Sequence, residues 1–451
     1  MATPRYQSLN PATGAVDAEF DAATDEQVEA ALAQADSAYR EWAQRSVAER
    51  GAVVGRVAEL FGERANELAQ LAQEEMGKPL AEGVEEAEFC QAIFQFYADR
   101  AQELLADQPI PTFSGGTAVV QRLPVGVLLG VMPWNFPFYQ VARFAAPNFM
   151  LGNTVLLKHA ESVPRCALAI ADIMREAGLP EGVYTNLFAT HAQVETIIED
   201  PRVQGVSLTG SERAGAAVAA IAGRALKKCV LELGGSDPFI VLDGDTGELA
   251  ATAWDFRMYN TGQACNSNKR MIVLDDHYDG FVDALVAKAK ALDPEQVPPM
   301  SSRAAAEALD AQVQDAVAHG ATLHVGGTLR DDTTAYYEPA VLTGVTPQMR
   351  AYSEELFGPV AVVYKVSGED EAVQLANSSA YGLGGSVFST DTARASAVAQ
   401  RLESGMVNVN IAAGEGADVP FGGVKRSGFG RELGTLGMEE FVNKRTYVVA
   451  D

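Results

Sequence analysis

An α/β fold built on two parallel sheets is what this sequence predicts, and three observations carry it. Short unbroken apolar runs alternate with helical segments between Val125 and Leu233. A second series of the same kind opens at Pro238-Phe239-Ile240-Val241-Leu242 and continues to Val407-Asn408-Val409-Asn410. The two meet at Leu233-Gly234-Gly235, with no repeat or low-complexity linker between them. Short continuous apolar strands fit sheets covered by helices on both faces, and such sheets bind ligands outside the carboxyl ends of their strands.

Taken in order, Thr24-Asp25-Glu26-Gln27 has the spacing of a capping box. Val28, Leu32, Ala35, Tyr39 and Trp42 then recur at helical intervals, which predicts an amphipathic helix from Thr24 to Trp42. Two helical stretches follow, Ala48 to Met76 and Glu82 to Ala106, broken at Gly77-Lys78-Pro79. From Pro109 to Arg122 the pattern turns β-like around Gly115-Gly116, as in a hairpin. The first apolar series places strands at Val125–Val131, Thr154–Leu157, Tyr184–Phe188, Val203–Leu208 and Cys229–Leu231. Helices are expected at Cys166–Ala177 and Arg213–Ala222. In the second series a helix, Gly247–Tyr259, leads into a polar segment around Cys265. The chain closes with a glycine-rich loop from Pro420 to Gly430, a short helix and an apolar strand Thr446–Val449.

Composition narrows the function. At 451 residues the chain can hold two or three domains with their own cores, and 47% apolar with 21% charged residues is globular. A net charge of -26 opposes binding to nucleic acid or to an anionic membrane, and no apolar run reaches the ~20 residues of a membrane span. Met1 to Tyr6 lacks the form of a signal peptide, and the four separated cysteines suit a reducing cytoplasm. Neither cysteines nor histidines show metal-ligand spacing, so no metal is expected.

The residues able to do chemistry fall at predicted strand ends. Cys265 lies in Asn260-Thr261-Gly262-Gln263-Ala264-Cys265-Asn266-Ser267-Asn268-Lys269-Arg270, where amides precede it and two cations follow. A thiol there reads as a nucleophile ionised by its cations, or as a packed core thiol. Glu232 ends an apolar strand before Leu233-Gly234-Gly235 and reads as a desolvated general base, or as a capping or ion-paired carboxylate. Asn135 follows Pro133-Trp134 and reads as an oxyanion donor or an Asx-turn residue. Thr209-Gly210-Ser211 opens a helix, either to receive a phosphate or simply to cap it. No G-x-G-x-x-G fingerprint follows any strand, so pattern alone leaves the cofactor open.

Five motifs in register change this reading. Pro133-Trp134-Asn135-Phe136-Pro137, Glu232-Leu233-Gly234-Gly235, Asn260 to Cys265, Glu354-Glu355-Leu356-Phe357-Gly358-Pro359 and Pro420-Phe421-Gly422-Gly423-Val424-Lys425 follow one another along the chain. Together they resemble the aldehyde dehydrogenase superfamily over essentially its whole length. The resemblance implies two Rossmann-like parallel-sheet domains plus a small β oligomerisation element. A cofactor-binding domain would comprise 1–106 and 125–233, a catalytic domain 234–433, and the oligomerisation element 107–124 and 434–451. It makes Cys265 the nucleophile, Glu232 the general base and Asn135 the side-chain donor to the oxyanion. Lys158 and Glu161 would hold the adenosine ribose, and Gly210 and Ser211 the phosphate side. Glu355 would hold the nicotinamide ribose, with Trp134, Leu233 and Phe357 around the ring.

Glu161 would accept both ribose hydroxyls and repel a 2′-phosphate, so NAD is expected ahead of NADP. Within the superfamily the chain looks most like the short succinate-semialdehyde dehydrogenases, through Leu231 to Leu242 and Phe421 to Leu433. Arg143 shares a helix face with Tyr139 at i, i+4 and is expected beside the aldehyde tunnel, facing a carboxylate tail. Tyr259 is a second expected substrate residue, standing where some such enzymes carry another arginine. Ile411 to Asp418 matches no substrate-anchor loop. Oxidation of succinate semialdehyde to succinate in a homodimer or homotetramer is the expectation. A broad-specificity enzyme for other small aldehydes, an acyl-transferring enzyme and a non-catalytic homologue are the alternatives.

Overall fold

A computed structural model of the chain describes residues 5–113 and 115–450. The N-terminal stretch Met1 to Pro4 and Ser114, in the turn of the expected hairpin, lie outside the described residues. The first helix is Asp25–Trp42, and both arms of its capping box are made. Thr24 Oγ1 accepts from Gln27 N–H at 3.2 Å, and Gln27 Oε1 accepts from Thr24 N–H at 2.8 Å. The single stretch expected over Ala48–Met76 is two helices, Val47–Glu63 and Ala65–Met76, because Arg64 leaves helical backbone at φ -103, ψ 12. The helix that follows, Leu80–Leu104, starts beyond a left-handed Gly77. A hairpin that carries no clear strand pattern, Arg5–Leu9 with Val16–Asp21, precedes them all.

Two parallel sheets follow, as the apolar runs predict. The first places its strands in the order 428–429, 228–232, 203–209, 127–132, 154–159 and 184–186. All its pairings are parallel except that of Gly428–Phe429, which lies antiparallel on Leu231 and Glu232. Those two residues, read from sequence as part of 234–433, thus complete the sheet of the preceding segment. The second sheet runs 322–325, 340–343, 360–366, 270–274, 238–241, 386–388 and 408–409, with only its first strand antiparallel. A separate three-stranded sheet joins Gln108–Ile110, Thr117–Pro124 and Val442–Val449. Among the described residues no helix is long and apolar enough to cross a membrane.

Two features of this frame bring the candidate residues together. The helix Tyr139–Leu151 has every residue buried, because it lies between the first sheet and the helices Leu80–Leu104 and Val47–Glu63 and presents no solvent face. The helix Thr246–Met258 ends in Arg257, whose side chain is fully buried and has no carboxylate within ion-pair distance. Its Nε donates to Val360 O at 2.8 Å, and its Nη1 to Gly262 O and Ser267 Oγ, both at 3.0 Å. Nη2 donates to Leu356 O at 2.7 Å and Gly358 O at 2.6 Å. Burial lowers this guanidinium to about 9, against some support from Glu355, and it stays charged at neutral pH. Replacing Arg257 with Met leaves these carbonyls buried without a donor. A loss of at least about 3 kcal/mol in unfolding free energy is expected from so many charged hydrogen bonds. Urea denaturation followed by fluorescence checks it, and an unchanged midpoint would refute it.

Candidate active site

Cys265 is presented by a turn of unusual backbone. Asn260 and Thr261 are left-handed at φ 52 and φ 55, and Gly262 follows at φ 72. A side chain at Gly262 would overlap Gly358 O. Glu82 accepts from Asn260 N–H at 2.6 Å and so anchors the turn to the helix Leu80–Leu104; burial, partly opposed by that bond, raises its carboxyl to about 7. Asn260 Nδ2 donates to Asn135 O at 2.9 Å, and Asn135 Nδ2 donates to Gln263 O at 3.1 Å. The amide of Asn135, 5% exposed, is therefore tied to the backbone two residues before Cys265. A primary amide carries two N–H donors, and only one of them is used here.

The two cations that follow Cys265 do not ionise it. Lys269 Nζ donates to Ala264 O at 2.7 Å and Cys265 O at 2.8 Å, and it pairs with Glu355 at 3.1 Å. Arg270 points the other way, toward Ala376 O and Ser378 Oγ, between the rings of Tyr352 and Tyr364. Burial pushes the Cys265 thiol up to about 12; Arg143 and Lys269 oppose it, and Glu355 and Glu232 add to it. The expected cation-stabilised thiolate is thus corrected: in this geometry Cys265 holds its proton.

Glu232 ends the strand Lys228–Glu232, 1% exposed, and neither carboxyl oxygen has a protein hydrogen-bond partner. Gly422, at φ 151, lets the backbone pass over it, and a side chain there would touch Oε1. Burial raises Glu232 well above the usual carboxylate range; Arg143 opposes this and Glu432 reinforces it. The capping and ion-paired alternatives are not what the geometry presents, since no cation lies within ion-pair distance of its oxygens.

Arg143 is placed differently from expectation. It does share a face with Tyr139, the guanidinium lying 5.0 Å from that ring, and it lies 4.7 Å from the ring of Phe421. Those rings line the cavity that reaches Cys265, while Arg143, with no exposed surface, lies behind them. It is ion-paired with Glu432, and its Nη2 donates to Thr209 Oγ1 at 3.1 Å. Burial works against its charge, but Glu432, Tyr139, Glu232 and Cys265 outweigh that and hold it above its ordinary value. The i, i+4 reading was sound; the fully buried helix leaves only its first turn at the cavity.

That cavity, of about 930 Å³, reaches Cys265 between Phe89, Phe136, Tyr139, Tyr259 and Phe421. Tyr259 does line it, stacked on Phe136 with centroids 6.2 Å apart and its hydroxyl donating to Glu85 at 3.2 Å. The segment Ile411 to Glu415 forms one wall, and Asn266 donates to the Glu415 carboxylate there.

Most of the residues expected to hold a dinucleotide lie at the carboxyl ends of the first sheet, while Glu355 and Phe357 come from the loop before the second-sheet strand Val360–Val366. Trp134 meets Phe357 edge to face at 5.8 Å. Glu355 Oε1 accepts from Gly235 N–H at 3.1 Å. Leu233 packs on Gly215 of the helix Glu212–Arg224, where a side chain would collide with it. Ser211 caps that helix through Ala214 N–H, and a Cβ on Gly210 would meet only Leu208. Lys158 and Glu161 pair at 3.3 Å. Two carboxylates at opposite ends with a helix N-terminus between them fit a dinucleotide, with its diols at the carboxylates and its phosphates at the helix. Among the described residues no group of acidic, cysteine and histidine side chains could hold a metal.

Arg257, Lys269, Glu432 and Glu415 were not singled out for the parts they play. Arg257 had a signal, a charge at the end of a helix with buried Ala250, Ala253 and Trp254. Lys269 was read only as a cation near the thiol, although two of its partners are the neighbouring carbonyls of Ala264 and Cys265; Glu432 and Glu415 had no signal, because their partners come from segments distant in sequence.

A cleft between two parallel sheets, with a thiol, an amide and a buried carboxyl near strand ends, defines an α/β oxidoreductase with a dinucleotide crevice. The chain belongs to the aldehyde dehydrogenase family, whose model matches residues 1–447. It is 53% identical over 98% of its length to succinate-semialdehyde dehydrogenase [NADP(+)] of Deinococcus radiodurans, covering 94% of that protein. It is 43% identical to succinate-semialdehyde dehydrogenase [NADP(+)] 1 of Mycobacterium tuberculosis, covering 98% of this chain and 99% of that one. The crystal structure of succinic semialdehyde dehydrogenase from Streptococcus pyogenes with NADP+ superposes with a TM-score of 0.96 at 41% identity, over 99% and 100% of the two chains.

Two outcomes follow from the geometry. Alkylation of Cys265 in the cofactor-free protein by iodoacetamide, followed by mass spectrometry, should accelerate continuously from pH 7 to pH 9.5, because the thiol is raised; a plateau near neutrality would contradict it. Replacing Arg143 with Met should lower kcat/KM about 10- to 100-fold, and alike for a carboxylate-tailed aldehyde and a neutral one of equal length, since it removes the countercharge of Glu232 and Glu432. A loss confined to KM for the charged aldehyde would restore the direct clamp.

Proposed function

We propose that this enzyme oxidises its aldehyde through a thioester on Cys265, and that succinate semialdehyde, giving succinate, is its substrate. The observation that carries the first part is the junction of Asn135, Gln263 and Cys265 beside a Glu232 whose oxygens have no other partner. The substrate rests on the names of the relatives, and a carboxylate tail could also use the amides of Gln140 and Asn266 on the cavity wall.

In this reading ionised Glu232 takes the proton of Cys265, and Sγ bonds to the aldehyde carbon. Asn135 donates its unused N–H to the oxygen that becomes an oxyanion. A bound nicotinamide supplies an acceptor for the hydride that leaves this carbon. Glu232 gives the thiol's proton to solvent and, ionised again, takes a proton from water; the water oxygen bonds to the carbonyl carbon, and the bond from that carbon to Sγ breaks, releasing the acid and a Cys265 thiolate that recovers its proton from Glu232. A carboxyl whose proton affinity is raised by burial is a stronger base once ionised. Its availability as base therefore rises with pH through its raised pKa and is lost below it. This use of Glu232 favours hydrolysis over transfer of the acyl group to another acceptor.

Lys158, Glu161, Gly210, Ser211, Leu233, Glu355, Trp134 and Phe357 hold the cofactor in this reading, and the Glu161 carboxylate supports NAD ahead of NADP. A homodimer or homotetramer in the cytoplasm belongs to the same proposal; the edge strand Val442–Val449, with Tyr447, Val448 and Val449 exposed, supports the association.

Pre-steady-state NADH formation tests the roles. Exchange of Cys265 for Ala should abolish the burst and the turnover while cofactor binding persists. Exchange of Glu232 for Gln should slow thioester hydrolysis by at least about 100-fold, the scale of lost general-base catalysis. A Cys265→Ala enzyme that still turns over succinate semialdehyde would end the proposal.

A further inference from the structure

The helix Tyr139–Leu151 begins shortly after Asn135 and opens on Phe138, which has no side-chain oxygen to cap it. The first N–H groups of a buried helix must be satisfied from somewhere, and here a different element does it. Glu86 Oε1 accepts from Phe138 N–H at 2.8 Å and from Tyr139 N–H at 2.9 Å. Glu86 stands on the helix Leu80–Leu104 at i, i+4 from Glu82, so the two carboxylates leave one face. Glu82 accepts from Asn260 N–H, at the head of the thiol turn. The other oxygen of Glu86 is ion-paired with Lys78, which is fully buried just before this helix. Lys78 Nζ also lies 3.7 Å from the centre of the Phe136 ring, and its charge opposes the burial that raises Glu82. One helix end thus grips the chain on both sides of the junction between Asn135 and Cys265. It holds Phe138 and Tyr139 beyond the amide, and Asn260 ahead of the thiol.

We propose that Glu86 is a positioning residue for the oxidation: it caps the helix after Asn135 while Glu82, on the same face, holds the thiol turn, and together they fix the unused N–H of Asn135 relative to Cys265. This rests on the role proposed above for Asn135 as donor to the oxyanion. Within the junction, Asn135 and the turn are joined by two amide hydrogen bonds, which tie them to each other but not to the frame. The two carboxylates supply that second tie, from a helix packed along its length against its neighbours. An oxyanion donor acts only where it meets the oxygen at hydrogen-bond distance, so a small drift of the loop 133–138 costs rate. Lys78 supplies the counter-charge that lets Glu86 stay inside the protein, since a buried carboxylate left alone is strongly unfavourable. Glu86 needs to meet no reacting atom for this; it acts through Phe138, Tyr139 and Asn135.

Stopped-flow measurement of the first turnover of NADH formation, at saturating succinate semialdehyde, reads the step in which Asn135 acts. Glu86→Ala should slow it about 10- to 100-fold, the scale on which a misplacement of about 1 Å acts. KM for the aldehyde and Kd for NADH, the latter from nicotinamide fluorescence, should each stay within about threefold, as for a group that acts only in the transition state. A double-mutant cycle separates positioning from mere support of the fold. Asn135→Ala alone should cost about 100- to 1,000-fold, and adding Glu86→Ala to it should cost nothing more, because the amide to be aimed is gone. Losses that multiply in the double variant overturn the proposal, as does an undiminished rate in Glu86→Ala. The paired exchange Lys78→Met with Glu86→Gln keeps the carbonyl acceptor and leaves no charge unpaired, so it serves even where Glu86→Ala does not fold. It should hold the rate within about threefold of the unaltered enzyme, and a loss of tenfold or more in it overturns the proposal. An undiminished first turnover in Asn135→Ala is a different result: it removes the oxyanion role of Asn135 itself.

Discussion

The active cleft depends on one buried guanidinium. Two buried segments, 263–267 and 356–359, connect elements of the catalytic cleft without regular secondary structure of their own, next to Gly262 and Val360 at the ends of their elements. Their carbonyls cannot reach water, and each buried acceptor left alone costs free energy. Arg257 satisfies Gly262, Leu356, Gly358 and Val360 together, with Ser267 beside them. A planar group with five donors can do this; an ammonium with three cannot cover the same spread of directions. Lys269 makes a second stitch, from Ala264 and Cys265 to Glu355. The loop of the thiol and the loop of the expected ribose ligand are therefore held in one piece.

This stitching has an electrostatic consequence. The cations nearest to Cys265 along the chain are committed to carbonyls and to Glu355, and burial dominates the thiol. Arg143, from a different element, is the remaining positive centre. It opposes burial more strongly than any other group at Glu232, at Glu432 and at Cys265. Its own cost of burial is met by Glu432, so the pair sets one compensated charge near a thiol and a carboxyl that burial raises. A site of this kind keeps an unreactive thiol until a base is free to take its proton. That separates chemical readiness from mere exposure of the nucleophile.

Much of the frame was legible, for reasons that can be named. Thr24 and Gln27 announce a capping box because both partners are local. The parallel strands announce themselves through unbroken apolar runs because both their faces are covered. The ordered motifs bring Asn135 and Cys265 into one reading, and the structure links them through Gln263. Illegible features depend on directions that no local pattern encodes. Tyr139 and Arg143 share a helix face, yet only the contact with Phe421 decides that the ring meets the cavity and the cation does not. Arg64 interrupts a helix whose composition continues across it. Gly428 and Phe429 join a sheet formed about 200 residues earlier, as their pairing with Leu231 and Glu232 requires.

The cavity itself sharpens the question of substrate charge. No lysine, arginine or histidine is among the described residues that line it, while Glu85, Asp243, Glu248 and Glu415 are. Asp243 is paired with Arg394, and burial raises the Glu415 carboxyl, against its hydrogen bond from Asn266. Behind the wall of Tyr139 and Phe421 lies Arg143, and a single aromatic layer screens its field far less than water would. Glu432 pairs with that cation, however, so the field beyond the wall is that of a compensated pair and favours no particular tail charge. Selectivity among aldehydes then depends on the polar groups that do line the cavity, the amides of Gln140 and Asn266, rather than on Arg143.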